Sequence, residues 1–171
     1  MIKLHTPITE KDIEQLKVGQ KVLISGKIYT ARDQAHIRLL HEKSPKFDYK
    51  GSVVFYVGPT PNREGVAIGA SGPTSSYRMD KLSPTLMAQG LKVMIGKGDR
   101  SDEFISEMIK HKAVYLIATG GAGALLSSRI VSSKVIMYED LGAEAIRELD
   151  VKEFPCFVAY DIYGNNIFKR G

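Results

Sequence analysis

Short apolar runs alternate with helix-like segments along most of the 171 residues, and this alternation constrains the fold more than any other feature. The runs KVLISGKIYT, SVVFYVG, VAIGASG, LKVMIG and AVYLIAT each predict a strand, because they are rich in β-branched and aliphatic residues and are bounded by turn-forming residues. Helices are predicted to begin at Thr9, Asp33, Ser83 and Ser101, which are typical N-cap residues. Strands that alternate with helices pack as a layered α/β domain.

The last third of the sequence predicts a less regular arrangement. TGGAGALLSSRI predicts a glycine-rich turn that leads into a helix, VSSKVIMYE a strand, GAEAIRELD a helix, and FPCFVAYDIYGNNIFKR a hairpin that turns near Asn165. A hairpin pairs two antiparallel strands, so hairpin-like segments at the ends of the sequence favour a mixed sheet, or two small sheets, over a purely parallel one. No linker-like stretch divides the sequence, so we expect one domain over residues 1–171.

The sequence contains a single cysteine, Cys156. This excludes an intrachain disulfide and a cysteine-rich zinc or iron–sulfur site held by this chain alone. The four histidines show no ligand spacing, so no metal site is expected in the chain itself.

The charge balance is modestly basic. There are 24 Lys and Arg against 19 Asp and Glu, a net charge of +5 that is compatible with an anionic partner. Basic residues are scattered and no basic strand carries paired aromatic residues, so nucleic acid is not an expected partner.

No segment of the sequence predicts secretion or membrane insertion. The opening residues MIKLHTPITEKDIEQLKVGQ contain no continuous apolar stretch of signal-peptide type. No later stretch approaches the ~20 apolar residues of a membrane span. Hydrophobic residues make up 43% of the sequence and charged residues 25%, proportions typical of folded chains. We therefore expect a cytoplasmic protein without a membrane partner.

Four polar clusters lie near the ends of predicted strands, where open α/β sheets place ligand sites. They are YTARDQAH with Arg32, GPTSSYRMD with Thr74 and Arg78, IGKGDR with Lys97, and TGGAGA with Gly120, Gly121 and Gly123. Arg32 can bind a carboxylate through two hydrogen bonds, the glycines beside Lys97 let the backbone approach a ligand, and the amides of TGGAGA can face an anion. Three cations among glycines and hydroxyls fit a small dianion such as a dicarboxylate.

Each cluster also has a purely structural alternative. Arg32 can pair with Asp33, the Ser- and Thr-rich segment can be a loop without a function, and the glycines around Lys97 can form a plain turn. TGGAGA can serve tight packing of a strand against a helix. The dinucleotide-binding pattern G-x-G-x-x-G fails because Leu126 occupies the place of its third glycine, and no G-x-x-x-x-G-K-[ST] is present.

The segments YTARDQAH, GPTSSYRMD, IGKG, TGGAGALL and the closing run from EAIRELDVKEFP to YDIYGNNIF resemble class I iron–sulfur hydro-lyases, in their beta subunit or C-terminal domain. The family includes class I fumarate hydratase and L(+)-tartrate dehydratase, and the resemblance covers nearly the whole sequence in order. It implies a swivelling β/β/α domain with a mixed sheet and flanking helices. It also implies a larger alpha subunit as partner, which carries a [4Fe-4S] cluster on three cysteines, and a dicarboxylate substrate.

The resemblance further implies roles for single residues. Thr74 matches the residue whose hydroxyl is the base in the family. Arg32, Arg78 and Lys97 match the family's substrate-binding cations. The family commonly has Thr-Thr-Ala-Gly before its second arginine, where this sequence has Ser75-Ser76-Tyr77 before Arg78.

We expect reversible hydration of fumarate to L-malate as the activity of the assembled enzyme. Dehydration of L(+)-tartrate and a non-catalytic anion-binding module are the alternatives. An exposed apolar face is expected where the alpha subunit binds, and such a face can also pair two copies of the chain.

Overall fold

A computed structural model describes residues 1–31, 33–39, 49–56, 83–118 and 128–168. Within them the sheet has seven strands: β1 (Ile2–His5), β2 (Lys21–Thr30), β3 (Val53–Phe55), β4 (Val93–Gly96), β5 (Val114–Ile117), β6 (Ile130–Met137) and β7 (Ile146–Tyr160). The helices are α1 (Glu10–Glu14), α2 (Asp33–Leu39), α3 (Ser83–Ala88) and α4 (Asp102–Lys110), and a 3-10 segment, Glu139–Glu144, precedes β7.

The strands form one mixed sheet that closes on itself. Their order is β1-β2-β3-β4-β5-β7-β6, and β1 to β5 pair in parallel. β7 is antiparallel to β5 and β6, and it also pairs antiparallel with β2. This additional pairing closes β2, β3, β4, β5 and β7 into a ring. The α/β class and the mixed sheet predicted from the sequence are confirmed.

Alternate residues of the parallel strands face two separate cores. Val53 and Phe55 of β3 belong to the interior of the ring, where the Phe55 ring meets Phe154 of β7 edge to face, with centroids 5.2 Å apart. Val54, between them, belongs to the other core, which holds buried residues of α2, α3 and α4. The parallel strands therefore have antiparallel strands on one face and helices on the other. This layering agrees with the β/β/α arrangement that the resemblance implies.

The first helix begins at the residue predicted from the sequence. Thr9 Oγ1 accepts a hydrogen bond from the Asp12 backbone N–H at 3.1 Å, and the Thr9 N–H donates to Asp12 Oδ2 at 2.9 Å. This reciprocal pair is a capping box, which satisfies two backbone donors at the start of the helix. The cap fixes the segment that brings the fully buried Ile13 and Leu16 into the core.

We expect Thr9→Ala to lower the free energy of unfolding by about 0.5–2 kcal/mol, because the capping acceptor is lost. Thr9→Ser keeps the hydroxyl and should retain most of the stability. Urea unfolding monitored by circular dichroism measures both variants. Equal losses in the two variants would show that the methyl group of Thr9, rather than its cap, stabilises this region.

The prediction of a helix over GAEAIRELD is wrong. Glu139–Glu144 forms a 3-10 segment, and the residues from Ile146 onward begin β7. Ile146 and Leu149 are spaced like one face of a helix, but residues 147–150 pair with β2 on one side and β6 on the other. Backbone pairing on both edges outweighs the local helix preference of this segment.

Two further expectations differ from the structure. Residues 2–5 form β1, which the sequence patterns did not predict. The expected closing hairpin is a turn with one isolated bridge, between Tyr160 and Asn166, and the Asp161 carboxylate accepts hydrogen bonds from the backbone of Tyr163 and Asn165. The predicted strand VAIGASG and the TGGAGA turn lie outside the described residues.

Among the described residues, no helix is both long enough and apolar enough to cross a bilayer.

Candidate functional site

The carboxyl ends of β2, β3, β4 and β5 lie side by side at one edge of the parallel sheet. Their register is continuous: Thr30 is paired with Phe55, Phe55 with Ile95, and Ile95 with Leu116. Backbone hydrogen bonds extend the pairing just past the strands: Ala31 N–H to Phe55 O, Tyr56 N–H to Ile95 O and Ala118 N–H to Gly96 O. Neighbouring strands are ~4.8 Å apart, so four chain segments leave the sheet within about 15 Å of one another.

Every polar cluster predicted from the sequence follows one of these four strands. Arg32 follows Ala31 after β2, Thr74 and Arg78 belong to the segment 57–82 after β3, Lys97 follows β4, and Gly120, Gly121 and Gly123 belong to the segment 119–127 after β5. Of these residues, Lys97 lies in the described part of the chain and the other six lie outside it. The structure therefore places side by side the four strand ends that precede the predicted clusters in the sequence.

Lys97 is exposed at the start of a tight turn. The next residue, Gly98, has a φ of +84°, a left-handed backbone conformation that residues with a Cβ adopt only under strain. Its carbonyl accepts a hydrogen bond from Tyr115 Oη at 2.9 Å. A β5 side chain thus fixes the turn that presents Lys97.

A second tyrosine, Tyr160 at the end of β7, holds the other half of this turn. Its hydroxyl accepts a hydrogen bond from the backbone N–H of Arg100 at 2.6 Å and donates one to Asp99 Oδ1. The same carboxylate oxygen accepts a hydrogen bond from this backbone N–H at 2.8 Å. Burial, together with the nearby Asp99 carboxylate, raises the pKa of Tyr160 above its usual value. The hydroxyl therefore stays protonated at neutral pH and continues to donate to Asp99.

Arg100 is buried, with 5% of its surface exposed, and is surrounded by aromatic rings. Its guanidinium carbon lies 3.6 Å from the centroid of the Phe104 ring, 5.0 Å from that of Tyr115 and 5.4 Å from that of Tyr56. A planar, weakly hydrated guanidinium stacks well on such faces. Arg100 has no role predicted from the sequence, since its ring partners come from three separate segments of the chain.

The two described residues on either side of residues 57–82 are in contact. Tyr56 directly precedes this segment and Ser83 directly follows it. The hydroxyls of these two residues form a buried hydrogen bond of 2.8 Å. The two residues that flank the segment containing Thr74 and Arg78 therefore meet near the carboxyl end of β3.

Cys156 lies in β7 and is fully buried in the interior of the ring. Burial raises the pKa of its thiol, so the thiolate form that ligates iron or zinc is disfavoured. Across the described residues, no group of three or more His, Cys, Asp and Glu is placed to hold a metal ion.

A cavity of about 710 Å³ lies away from the carboxyl edge, between the end of β1 and the middle of β2. Two lysines, Lys27 and Lys50, and one acid, Asp150, line it, together with Tyr29 and Ser52 among others. Ser52 is four residues before Tyr56, so this wall is ~13 Å from the carboxyl edge. Tyr29 is the first residue of the YTARDQAH cluster, whereas Lys97, the one predicted site residue in the described part of the chain, does not line this cavity. We therefore place the candidate site at the carboxyl edge.

The chain is similar over its whole length to known hydro-lyases. Residues 1–171 match the family model described as Fumarase C-terminus. The chain is 35% identical to a Methanocaldococcus jannaschii protein provisionally named L(+)-tartrate dehydratase subunit beta, over 95% of this chain and 89% of that protein. It is 34% identical to the aerobic class I fumarate hydratase of Escherichia coli K12 and 30% identical to fumarate hydratase 2 of Leishmania major. Both matches cover 99% of this chain, which spans about a third of either enzyme: 32% and 31%.

Proposed function

The chain belongs to the Fumarase C-terminus family, and on that basis we propose that it is the beta subunit of a class I fumarate hydratase, which converts fumarate reversibly to L-malate. One observation carries the proposal. The four polar clusters predicted from the sequence each come, in chain order, after a different strand of β2 to β5, and these four strands are neighbours in the parallel sheet. Cations grouped at such an edge can bind both carboxylates of a short dianion at once.

The proposal includes an alpha subunit as partner. The E. coli enzyme is about three times as long as this chain, which covers 32% of it. We propose that the alpha subunit supplies the remaining part and holds the [4Fe-4S] cluster. The buried, protonated Cys156 supports this division, because it offers no thiolate at the surface. The cluster would supply Lewis-acid chemistry at the substrate hydroxyl.

The residues of this chain would bind the substrate and move a proton. In the proposal Arg32, Arg78 and Lys97 hold the carboxylates and stabilise the negative charge that develops on the adjacent carbon. In the dehydration direction Thr74 removes the hydrogen from that carbon, and in the hydration direction its hydroxyl returns it. An alcohol is a weak base at pH 7, so a neighbouring cation such as Arg78 has to stabilise the Thr74 alkoxide.

L(+)-tartrate dehydratase is the second candidate. The supporting observation is that this chain spans 89% of the M. jannaschii protein, which is named as a separate beta subunit. Tartrate carries two hydroxyl groups where malate carries one. Contacts from both subunits would have to distinguish the two substrates, so both should be offered to the same complex.

The proposal is tested by anaerobic co-purification of the chain with its candidate alpha subunit, a larger protein with three well-separated cysteines. Fumarate consumption is followed by the loss of its ultraviolet absorbance, and tartrate dehydration by the oxaloacetate formed. We expect activity from the complex and none from either subunit alone. A complex that binds dicarboxylates without turnover would support the non-catalytic module instead.

Lys97→Met is expected to raise KM for the dicarboxylate by about 10–150-fold, because a charge-assisted hydrogen bond contributes about 1.5–3 kcal/mol. Lys110→Met is the matched control, since Lys110 is exposed at the opposite end of α4. Steady-state kinetics of the two complexes measure the difference. Identical KM and kcat in Lys97→Met and wild type would remove Lys97 from the substrate-binding residues.

A further inference from the structure

The cavity of about 710 Å³ lies at a gap in the strand pairing beside β2. β1 pairs with β2 as far as Ser25, and β3 pairs with the same side of β2 from Tyr29 onward. Among the described strands, none pairs with residues 26–28 on this side, whereas β7 pairs with β2 along its other side. We propose that this cavity is a binding site for a small organic anion that has an apolar body and a single carboxylate. The site needs no alpha subunit and does not depend on the proposed function.

Hydrogen bonds fix the wall of the cavity that follows β1. The Thr6 backbone N–H donates to the Ser25 carbonyl at 3.0 Å. The Ile8 backbone N–H donates to the Gly51 carbonyl at 2.8 Å. Gly51 has a φ of +74°, and a Cβ there would lie 2.7 Å from the Ile8 carbonyl oxygen. Because this wall is already held in place, a ligand would lose little affinity to the ordering of the protein.

The surface of the cavity is mainly apolar. Pro7, the buried Ile8 and the half-buried Tyr29 contribute to it. Small-molecule sites typically enclose about 300–1,000 Å³ and combine apolar walls with a few polar groups, as this cavity does. An aromatic body would remove these walls from water on binding, whereas a short dicarboxylate has almost no apolar surface to bury.

The charges at the cavity favour a ligand with one negative charge. Lys27 and Lys50 line the cavity, and Asp150, which is registered opposite Lys27, lines it too. Two lysines and one acid leave a single positive charge. The ion-paired neighbours do not change this balance, because Glu148 lies 3.5 Å from Lys27 and also 3.5 Å from Lys134. A lysine ammonium can bind one carboxylate, but a second carboxylate would face Asp150 without a matching cation.

Ser52, which directly precedes β3, adds a hydrogen-bonding group to the wall. The residue lines the cavity and is 5% exposed. Its hydroxyl has no hydrogen-bond partner among the described residues. Buried hydroxyls are normally hydrogen-bonded, and a serine hydroxyl can turn towards a new acceptor. Ser52 can therefore donate to a polar atom of the ligand.

Titration of the full 171-residue chain with 2-naphthoate, an aromatic monocarboxylate, tests the proposal by ¹⁵N NMR. We expect saturable amide shifts confined to residues 5–9, 26–29 and 50–52, which line the cavity. The Kd should be about 1 mM or lower, as expected for a ligand of this size. Naphthalene-2,6-dicarboxylate and 2-naphthylmethylammonium have the same rings with a different charge. Both should bind at least about fivefold more weakly.

Single substitutions assign the interactions with the probe. Lys27→Gln and Lys50→Gln should each weaken 2-naphthoate binding about three- to tenfold. Lys21→Gln is the matched control, because Lys21 is exposed on β2 and does not line the cavity. Asp150→Asn removes the acid and should strengthen binding about threefold. Ser52→Ala should weaken binding about threefold while leaving the Tm of the chain unchanged or higher, because no hydrogen bond of its side chain to a described residue is lost.

Four results would overturn the proposal. The first is an absence of saturable shifts, or shifts outside the cavity. The second is equal binding of the naphthyl ammonium ion, which would show that only the apolar rings matter. The third is an equal loss of affinity in Lys21→Gln, which would show general attraction to a basic surface. The fourth is displacement of the probe by the alpha subunit, with protection of the same amides, since the cavity would then be part of the subunit interface. Activity of the alpha–beta complex decides none of these results, so the proposed function is tested separately.

Discussion

Replacing Thr74 by alanine in the assembled enzyme is expected to lower kcat by about 10²–10⁴-fold, the usual contribution of a general base. Alanine has no hydroxyl to accept the substrate hydrogen, whereas the proposed binding cations remain. KM should therefore change much less than kcat, which is the pattern for a group that acts in the transition state.

Two variants control this experiment. Thr74→Ser retains a hydroxyl and should keep part of the activity, and Thr85→Ala removes the hydroxyl of an exposed threonine in α3. Initial rates of fumarate hydration and malate dehydration measure all three. Normal turnover by Thr74→Ala in both directions would exclude Thr74 as the base.

Phe154→Ala is expected to lower the free energy of unfolding by about 3–5 kcal/mol. Phe154 is fully buried, and its ring packs edge to face against Phe55 from the opposite side of the ring of strands. The shorter side chain leaves a cavity between the two walls and removes an aromatic pair. This is a large share of the roughly 5–15 kcal/mol that stabilise a typical domain.

Urea unfolding at low temperature measures this loss. Phe154→Leu, which retains most of the volume, should cost clearly less, and Ile167→Ala, at a side chain that is 40% exposed, should cost little. A Phe154→Ala midpoint equal to that of Ile167→Ala would show that the contact between the two walls does not stabilise the fold.

Features that depend on local chemistry were predictable from the sequence. Thr9 and Ser101 were expected as N-caps, and both side chains accept a hydrogen bond from the third helical residue. The strands at residues 53–55, 93–96 and 114–117 lie within the apolar runs that predicted them. These signals depend on a few neighbouring residues, and tertiary contacts reinforce them.

Features that depend on distant partners were not predictable. The residues from Ile146 onward have a helix-like spacing, and only their pairing with β2 and β6 makes them a strand. In the candidate site, too, the local features were predictable and those that depend on distant partners were not. The sequence located four polar clusters near strand ends, but the neighbour order of β2 to β5 is a property of the fold. Nothing local connects Asp99 to Tyr160, 61 residues later.

The pairing of β2 with β7 also has a consequence for synthesis on the ribosome. Lys21 of β2 is registered with Phe157 of β7, and Thr30 with Arg147. Until residues 147–157 leave the exit tunnel, one edge of β2 has no strand to pair with and the apolar interior stays open. Contacts between such distant positions form late and slowly. During translation the nascent chain therefore exposes an aggregation-prone edge, which makes this stage the one at which a chaperone would matter most.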